Sequence, residues 1–555
     1  STFSPNLLNE FRFSWPYRKN RHFAGPKTGP GPAVTISGVA NFNGTTGAGD
    51  RFAEKIPSLN ENLTIIRGRH SLKVGAAWQE NVDLQAPQVF TQYTFPTIAA
   101  YLAAKNGTNP RSYTTVKQNA GVGIGYHSVF WSWYGQDSWQ VTPKLMLIGG
   151  VRYDKFVPPD ANPTAPFLNS RKFNSASANF APRLGFAYRV TTTTVVRGSG
   201  GIFYDAPATN TWFNPLQTNG ISPNFSLPPT AANAPAFPAL TLTPANSSTF
   251  ADLVTVAPNF RNAYTINTSL NVQHELSKND SITIGYIHTA GRNLEFQRNI
   301  NTPAVIRFLA DGRPVFGTNS STRPFQGFGN ITQEESGARS NYDAAVVNYT
   351  HRLTAGVEMS ASYTWSHTIS DAPEANSFEQ NFPIIDPTNR LRDRGNSYVN
   401  RPHSLTISSI FQPRIQADNA VWRHLANDNM FALLVNLSSG DQQNILANTN
   451  LNGDATNSTS QNQRPAFVPR NSVRGPNIYQ LDARYTRTIG TFWERVKPQV
   501  FLEANNLFNH PNITTINTTA TVNATTGLIT TAPTFARQST VLEGRIVQFG
   551  ASVRF

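Results

Sequence analysis

Stretches that alternate apolar and polar residues recur along the whole chain, and short connections between them take turns with long ones. A period of two puts successive side chains on opposite faces, so each stretch predicts a strand. About sixteen candidates can be counted this way. The clearest are "NEFRFSW" (9–15), "SLKVGAAWQ" (71–79), "KLMLIGGVRYD" (144–154), "RLGFAYRV" (183–190), "TVVRGSGGIFYD" (194–205) and "YTINTSLNVQHEL" (264–276). They continue with "SITIGYIHT" (281–289), "YDAAVVNYTHRL" (342–353), "GVEMSASYTWSHT" (356–368), "SLTISSIFQ" (404–412), "YQLDARYTRT" (479–488) and "PQVFLEANNLF" (498–508). "VTPK" (141–144), "TTTT" (191–194), "SKND" (277–280) and "LTAG" (353–356) are tight turns. Segments rich in Pro, Gly, Asn and Thr fill 16–60, 80–125, 206–261, 291–341, 369–400, 440–475 and 509–540. A soluble sandwich has no reason to gather its long loops at one end. A transmembrane barrel does, with short periplasmic turns and long extracellular loops.

Composition narrows the choice. At 555 residues the chain can hold several soluble domains or one large barrel. Only 14 % of residues are charged, and Asn, Thr, Ser and Gln fill the deficit, which suits a polar lumen and wet loops. There are 0 Cys, so disulfides, zinc ribbons and thiol nucleophiles are excluded. No apolar run approaches the roughly 18 residues of a membrane helix; "MFALLVNL" (430–437) is among the longest. The net charge of +14 is dispersed rather than clustered with stacking aromatics. That argues against nucleic acid and for attraction to lipopolysaccharide or an acidic ligand.

The chain ends on "VQFGASVRF" (547–555), where Val547, Phe549, Ala551, Val553 and Phe555 share one strand face. In a barrel that face meets lipid. Trp131, Trp133, Tyr134 and Trp139 lie on one strand before a short turn, where an interfacial girdle is expected. Arg152, Arg183, Arg197 and Arg352 alternate with apolar neighbours and are expected to point into the lumen. No catalytic set stands out: Ser366 and His367, with Asp371 nearby, fall on opposite strand faces. "NTNLNGD" (448–454) echoes a calcium loop, but Asn replaces the carboxylates and Thr459 stands in place of the bidentate Glu. It reads as a polar surface loop, and no metal or cofactor is expected. "GVGIG" (121–125) has no following helix to hold a phosphate and reads as the approach to a strand. Glu334 and Glu335 read as solvated loop residues.

"YGQDSWQVTPKLMLIGGVRYD" (134–154), "NFAPRLGFAYRV" (179–190), "VVRGSGGIFYD" (195–205), "ASYTWSHTISD" (361–371) and "EANNLFNHPN" (503–512) resemble the barrel of Oar-like TonB-dependent transporters. The resemblance covers nearly the whole chain, and "NNLFNHPN" (505–512) is similar to the penultimate barrel strand of such receptors. It implies an all-β fold, an antiparallel transmembrane β-barrel of about 22 strands of which about 16 are present. It also implies a signal peptide, a regulatory-like β-sandwich, a plug and a TonB box, none of which is recognisable before Asn9. The expectation is therefore a single barrel domain, 1–555, lacking its N-terminal part and first strands, with two unpaired strand edges.

The implied function is energy-coupled uptake or surface binding of an unidentified substrate at the outer membrane of a Gram-negative bacterium. Alternatives are a passive porin-like channel of about 16 strands, with an inward constriction loop, and a surface adhesion or organisation protein acting through its loops. None is an enzyme. The implied partners are outer-membrane lipid and lipopolysaccharide, the TonB complex through the missing N-terminal segment, and an extracellular substrate. The outer-membrane assembly machinery is a further one, reading the terminal Phe-ended strand. The lumenal arginines would pair with acidic plug residues, or else line the substrate path.

Overall fold

The computed structural model describes every residue except 1, 22–27, 45–50, 87–89, 120–122, 221–224, 231–233, 241–251, 374–382, 417, 455–462, 491–495, 536–537 and 555. Long strands form one antiparallel meander, each bonded to the next in chain order. They are β1 (Leu7–Ser14), β2 (Ser58–Arg67), β3 (His70–Ala86), β4 (Ile124–Thr142), β5 (Leu145–Val157), β6 (Phe180–Arg189), β7 (Thr194–Tyr204) and β8 (Tyr264–Glu275). The second half is β9 (Asp280–Asn299), β10 (Ile331–Thr354), β11 (Val357–Ser370), β12 (His403–Phe411), β13 (Asn429–Ser438), β14 (Ile478–Thr488), β15 (Lys497–Asn505) and β16 (Ile546–Arg554). Every neighbouring pair is antiparallel. Among the described residues no pairing joins β1 to β16.

Register carries one chemistry from strand to strand. Val272, Ile284, Val347, Tyr363, Leu405, Leu437 and Tyr479 form one continuous cross-strand row. Phe549 beside Leu502 is 77 % exposed and Leu184 is 70 % exposed. Contiguous apolar exposure on this scale is incompatible with water, so this face meets lipid. The opposite face presents rows such as Asn62, Gly75, Tyr134 and Arg152, or Thr350, Ser360 and Ser408. That is the lumen wall.

Aromatic and Asp–His groups bracket the lipid belt. Trp131 and Trp133 stack at 5.9 Å, with Tyr153 at 6.0 Å from Trp133, while Trp139 stacks on His70 at 5.4 Å near the 143–144 turn. The eight residue steps from Trp131 to Trp139 span about 27 Å of strand, or roughly 20 Å of height at barrel tilt. The same spacing on β9 separates Asp280, bonded to His351 at 2.7 Å, from His288, bonded to Asp343 at 2.7 Å. Tyr134 departs from the expected girdle. It faces the lumen, donates its hydroxyl to Asn62, and lies where a Cβ on Gly75 would stand 2.4 Å from its ring.

At one end the connections are 68–69, 143–144, 190–193, 276–279, 355–356, 412–428 and 489–496. The 355–356 turn needs left-handed backbone, with φ of 51° at Ala355 and 82° at Gly356, and a Cβ at Gly356 would strike the Gln412 carbonyl oxygen. At the other end every connection is long. The strands climb well into the segments read as loops: β3 reaches Ala86, β9 reaches Asn299 and β10 begins at Ile331.

The buried apolar clusters sit in those long connections and against the outer ends of the strands, not in the membrane-crossing part of the sheet. Strands Ala33–Ile36, Ala40–Asn43, Phe90–Phe95, Thr115–Asn119 and Phe225–Leu227 build a second sheet from three connections. Helix α1 (Ile98–Lys105), capped by Thr97, packs Ala104 into its core with Tyr93, Phe95, Tyr113 and Val116. The other α-helices among the described residues are α2 (Thr209–Gln217) and α3 (Ala420–Ala426).

A ring of arginines ties three further connections together. Arg313 donates to the Arg464 carbonyl at 2.8 Å, Arg464 to the Arg392 carbonyl at 2.9 Å, and Arg392 to the Asp311 carbonyl at 3.0 Å. Each also meets a carboxylate: Asp311 at 2.9 Å, Asp393 at 2.8 Å and Asp386 at 2.7 Å respectively.

Two expectations fall here. Glu334 is buried in β10, accepting from Gln297, and Glu335 binds Arg298 at 2.6 Å; neither is a solvated loop residue. "NTNLNGD" is not solely a surface loop: residues 448–450 and 453 are exposed, but Asn452 donates to the Ile385 carbonyl at 3.0 Å and Asp454 accepts from Asn299 at 3.0 Å, so its end ties connections together. Its Thr459 lies outside the described residues.

Breaking one buried pair of the ring strands the other charge. Arg464→Leu is expected to destabilise the loop layer by about 3–5 kcal/mol while the sheet, which it does not touch, stays folded. Protease digestion of intact cells should then cut the 439–477 connection in the variant alone, with heat-modifiable migration of the barrel unchanged. Equal protection in both proteins would refute the role of the ring.

Candidate functional site

The lumen wall divides by charge. On β5 and β6, Arg152 and Arg183 line a cavity of about 300 Å³ with Asn60, Asn62, Tyr134 and Gln136. Arg152 is held through Nε by Asp154 at 2.8 Å. Arg183 meets no carboxylate among the described residues; its guanidinium lies over the Phe203 ring at 4.2 Å. Arg197 on β7 is on the same face but apart from them, and donates to Gln273 at 2.8 Å. Arg352 sits near the 355–356 turn, where its N–H bonds the Asn279 carbonyl at 2.9 Å. The structure therefore brings together two of the four arginines. Phe203, Asn62 and Tyr134 complete the group, and in sequence only their place in the alternation marks them.

Across the sheet, strands β10 to β15 line a cavity of about 460 Å³ that includes Glu358, Asp482 and Glu503. Its one cation, Arg484, binds Glu503 at 3.1 Å and stacks on Phe501 at 3.9 Å. Asp482 accepts from Gln480 at 3.1 Å.

Ser366, His367 and Asp371 do not assemble into a catalytic set. The Ser366 hydroxyl donates to the Arg401 carbonyl at 2.9 Å, His367 faces Asn396 at 3.2 Å, and Asp371 pairs with Arg390. Among the described residues no cluster of three His, Cys, Asp or Glu could hold a metal. Ile124 and Gly125 of "GVGIG" open β4, while residues 120–122 lie outside the described residues. On β16, Val547, Phe549 and Val553 are exposed on the face bearing Ala551, and Phe555 lies outside the described residues.

Above the lipid belt, a row runs Arg18, Glu54, Asp83, Tyr126 across four strands. A crossing strand needs roughly 9–11 residues, so Asp83, near the outer end of β3, stands clear of the membrane. Arg18 binds Glu54 at 3.1 Å. Asp83 is 1 % exposed, and neither of its carboxylate oxygens has a hydrogen-bond partner. Burial, then the Glu54 charge, raise its pKa to about 6, with Arg18 opposing. Tyr126 donates to the Thr209 carbonyl at 3.1 Å and packs on Trp212 and Phe260, so the α2 connection folds onto the inner face at the mouth.

A carboxyl whose folded pKa is raised contributes stability at low pH that is lost as pH climbs from about 4 through 6. Asp83→Asn removes that loss. It should stabilise the protein by about 1–2 kcal/mol at pH 7.5 and change little at pH 4. Thermal melting of the detergent-solubilised protein at the two pH values checks this; an Asn variant no more stable at pH 7.5 would contradict it.

The fold matches solved outer-membrane transporters at low sequence identity. The chain aligns over 100 % of its length with the transporter YddB from Escherichia coli, at TM-score 0.59 and 11 % identity, covering 61 % of that chain. It aligns over 100 % of its length with P. aeruginosa FpvA, solved bound to heterologous pyoverdines, at TM-score 0.52 and 12 % identity, covering 54 %. For the siderophore receptor PirA from Acinetobacter baumannii the figures are 99 %, 0.51, 12 % and 60 %. The chain thus spans about three-fifths or less of these structures. No curated protein matches it in sequence. The family match runs over residues 1–469 and 466–548, nearly the whole chain. With its lipid-facing belt, polar lumen wall and one-sided loops, the chain belongs to the outer membrane beta barrel domain family, a family of barrels in the bacterial outer membrane.

Proposed function

We propose that this chain is the barrel wall of an Oar-like TonB-dependent transporter that takes up, or binds at the cell surface, a substrate under energy coupling. The observation that carries the reading is a sixteen-stranded wall, polar within, beneath a loop layer with its own buried core. A fixed outer layer can present a shaped surface to a ligand, and a polar wall can release it inward. Energy coupling requires a plug and a TonB box, supplied by sequence outside this chain. Further strands would then continue the sheet beyond β16 and beyond β1, whose Leu7 and Leu8 already pair with Ser4 and Thr2. In this reading Arg152, Arg183, Arg197 and Arg352 are the lumen's basic groups. Val547, Phe549, Ala551, Val553 and Phe555 form the strand that the assembly machinery recognises. Lipopolysaccharide surrounds the outer rim.

A passive porin-like channel is the second reading. The α2 connection, folded onto Tyr126 at the mouth, favours it as a constriction.

Two measurements on the protein purified from outer membranes separate the readings. The transporter reading expects binding to the periplasmic domain of TonB and no steady ion conductance in planar bilayers. Steady conductance of a water-filled pore, with no TonB binding, would replace it with the channel.

A further inference from the structure

Two guanidinium groups line the β5–β6 cavity, whose lining holds no carboxylate among the described residues; Asp154 stands beside it as the partner of Arg152. Arg152 spends its Nε on Asp154 at 2.8 Å, and no other hydrogen bond is made by its remaining donors among the described residues. Arg183 has no ion pair there, and its Nε is buried with no hydrogen-bond partner. An uncompensated positive charge in a wall partly shielded from water is unfavourable unless something anionic comes to it.

The wall also holds Arg183 in place. Gln136, Gly150, Arg183 and Gly201 form one cross-strand row. A Cβ at Gly201 would stand 3.0 Å from Arg183 Cγ and 3.3 Å from the Phe203 ring, so the glycine is what lets the arginine lie across its neighbour. Phe203 beneath the guanidinium then fixes its plane. A stacked guanidinium keeps its N–H edge available for a planar or tetrahedral oxyanion and loses little rotamer freedom on binding. Tyr134 gives its hydroxyl hydrogen to the Asn62 carbonyl oxygen, which leaves the Asn62 amide nitrogen as a neutral donor beside the two cations.

We propose that Arg152 and Arg183, with Asn62 and Gln136, form an anion-binding site on the lumen wall that takes the carboxylate or phosphate group of a passing solute. The volume of about 300 Å³ admits such a headgroup with part of its carrier. The wall along the later strands is net acidic, with Glu358, Asp482 and Glu503 against the one cation Arg484. An anion in the lumen is therefore drawn to one side and repelled from the other. The inference rests on the reading of the chain as a transport barrel, because it names the charge of what passes.

The test uses the protein purified from outer membranes and reconstituted in nanodiscs. Citrate and inorganic phosphate are the probes, with titration calorimetry as the readout. Saturable binding is expected, weakened at least about 10-fold by Arg183→Gln and by Arg152→Gln, and progressively by added salt. Lys278→Gln, in the 276–279 turn, should leave it unchanged. Arg183→Lys keeps the charge without the planar fork and should bind more weakly than the parent but more tightly than Arg183→Gln. Heat-modifiable migration confirms that each variant is folded. Absence of saturable binding, or binding indifferent to both substitutions, overturns the proposal. An acidic side chain of the protein already seated on Arg183 would give the first of those results. TonB binding and conductance are separate readouts, so failure of the anion site and failure of the transport reading are distinguishable.

Discussion

Hydrocarbon offers no water to an amide, so each N–H and C=O of a crossing strand must find its partner in the next strand. The unbroken ladder from β1 to β16 meets that demand, and the rest of the molecule depends on it. Once pairing is fixed, the pleat assigns alternate side chains to lipid or lumen, and a slip of one residue would exchange them. Ile284 and Val347 meet lipid because Asn271 and Gly285 form the facing row within. The belt ends where Trp139, His70 and Asp280 begin on one side and Trp131 and His288 on the other.

The apolar core is displaced accordingly. A sheet with lipid on one side and a wet lumen on the other has little interior, and the largest fully buried side chains, among them Tyr93, Phe95, Leu227 and Leu451, lie outside its membrane-crossing part. The long connections do not merely close the chain. They assemble a second sheet, a ring of arginines and a mouth built on Tyr126, so the outer surface has a fixed shape.

The fold was legible because its period is local. Alternation within "SITIGYIHT" or "VQFGASVRF" needs no knowledge of distant residues, and the sided distribution of long connections settled the architecture. The site was legible only in part. Inward pointing follows from parity, which also shows why Ser366 and His367 cannot cooperate. Parity likewise predicts Tyr134 inward, yet its company of tryptophans suggests a girdle. Asp83 sits in "VDLQ", an ordinary strand, with nothing in its neighbours to signal burial without a partner.

The amino-acid sequence by itself determined the strand pattern, the lipid-facing residues and the end at which the loops gather, since these follow from two-residue periodicity and turn chemistry. Tertiary structure alone decided which arginines meet. Arg152 and Arg183 are neighbours because β5 and β6 pair in one register, and Phe203 comes beneath Arg183 from the next strand. It likewise buried Glu334 and Asn452, residues that look like solvated loop until Gln297 and Ile385 arrive from other connections. Burial and charge balance depend on groups distant in the chain, and no local pattern encodes their arrival.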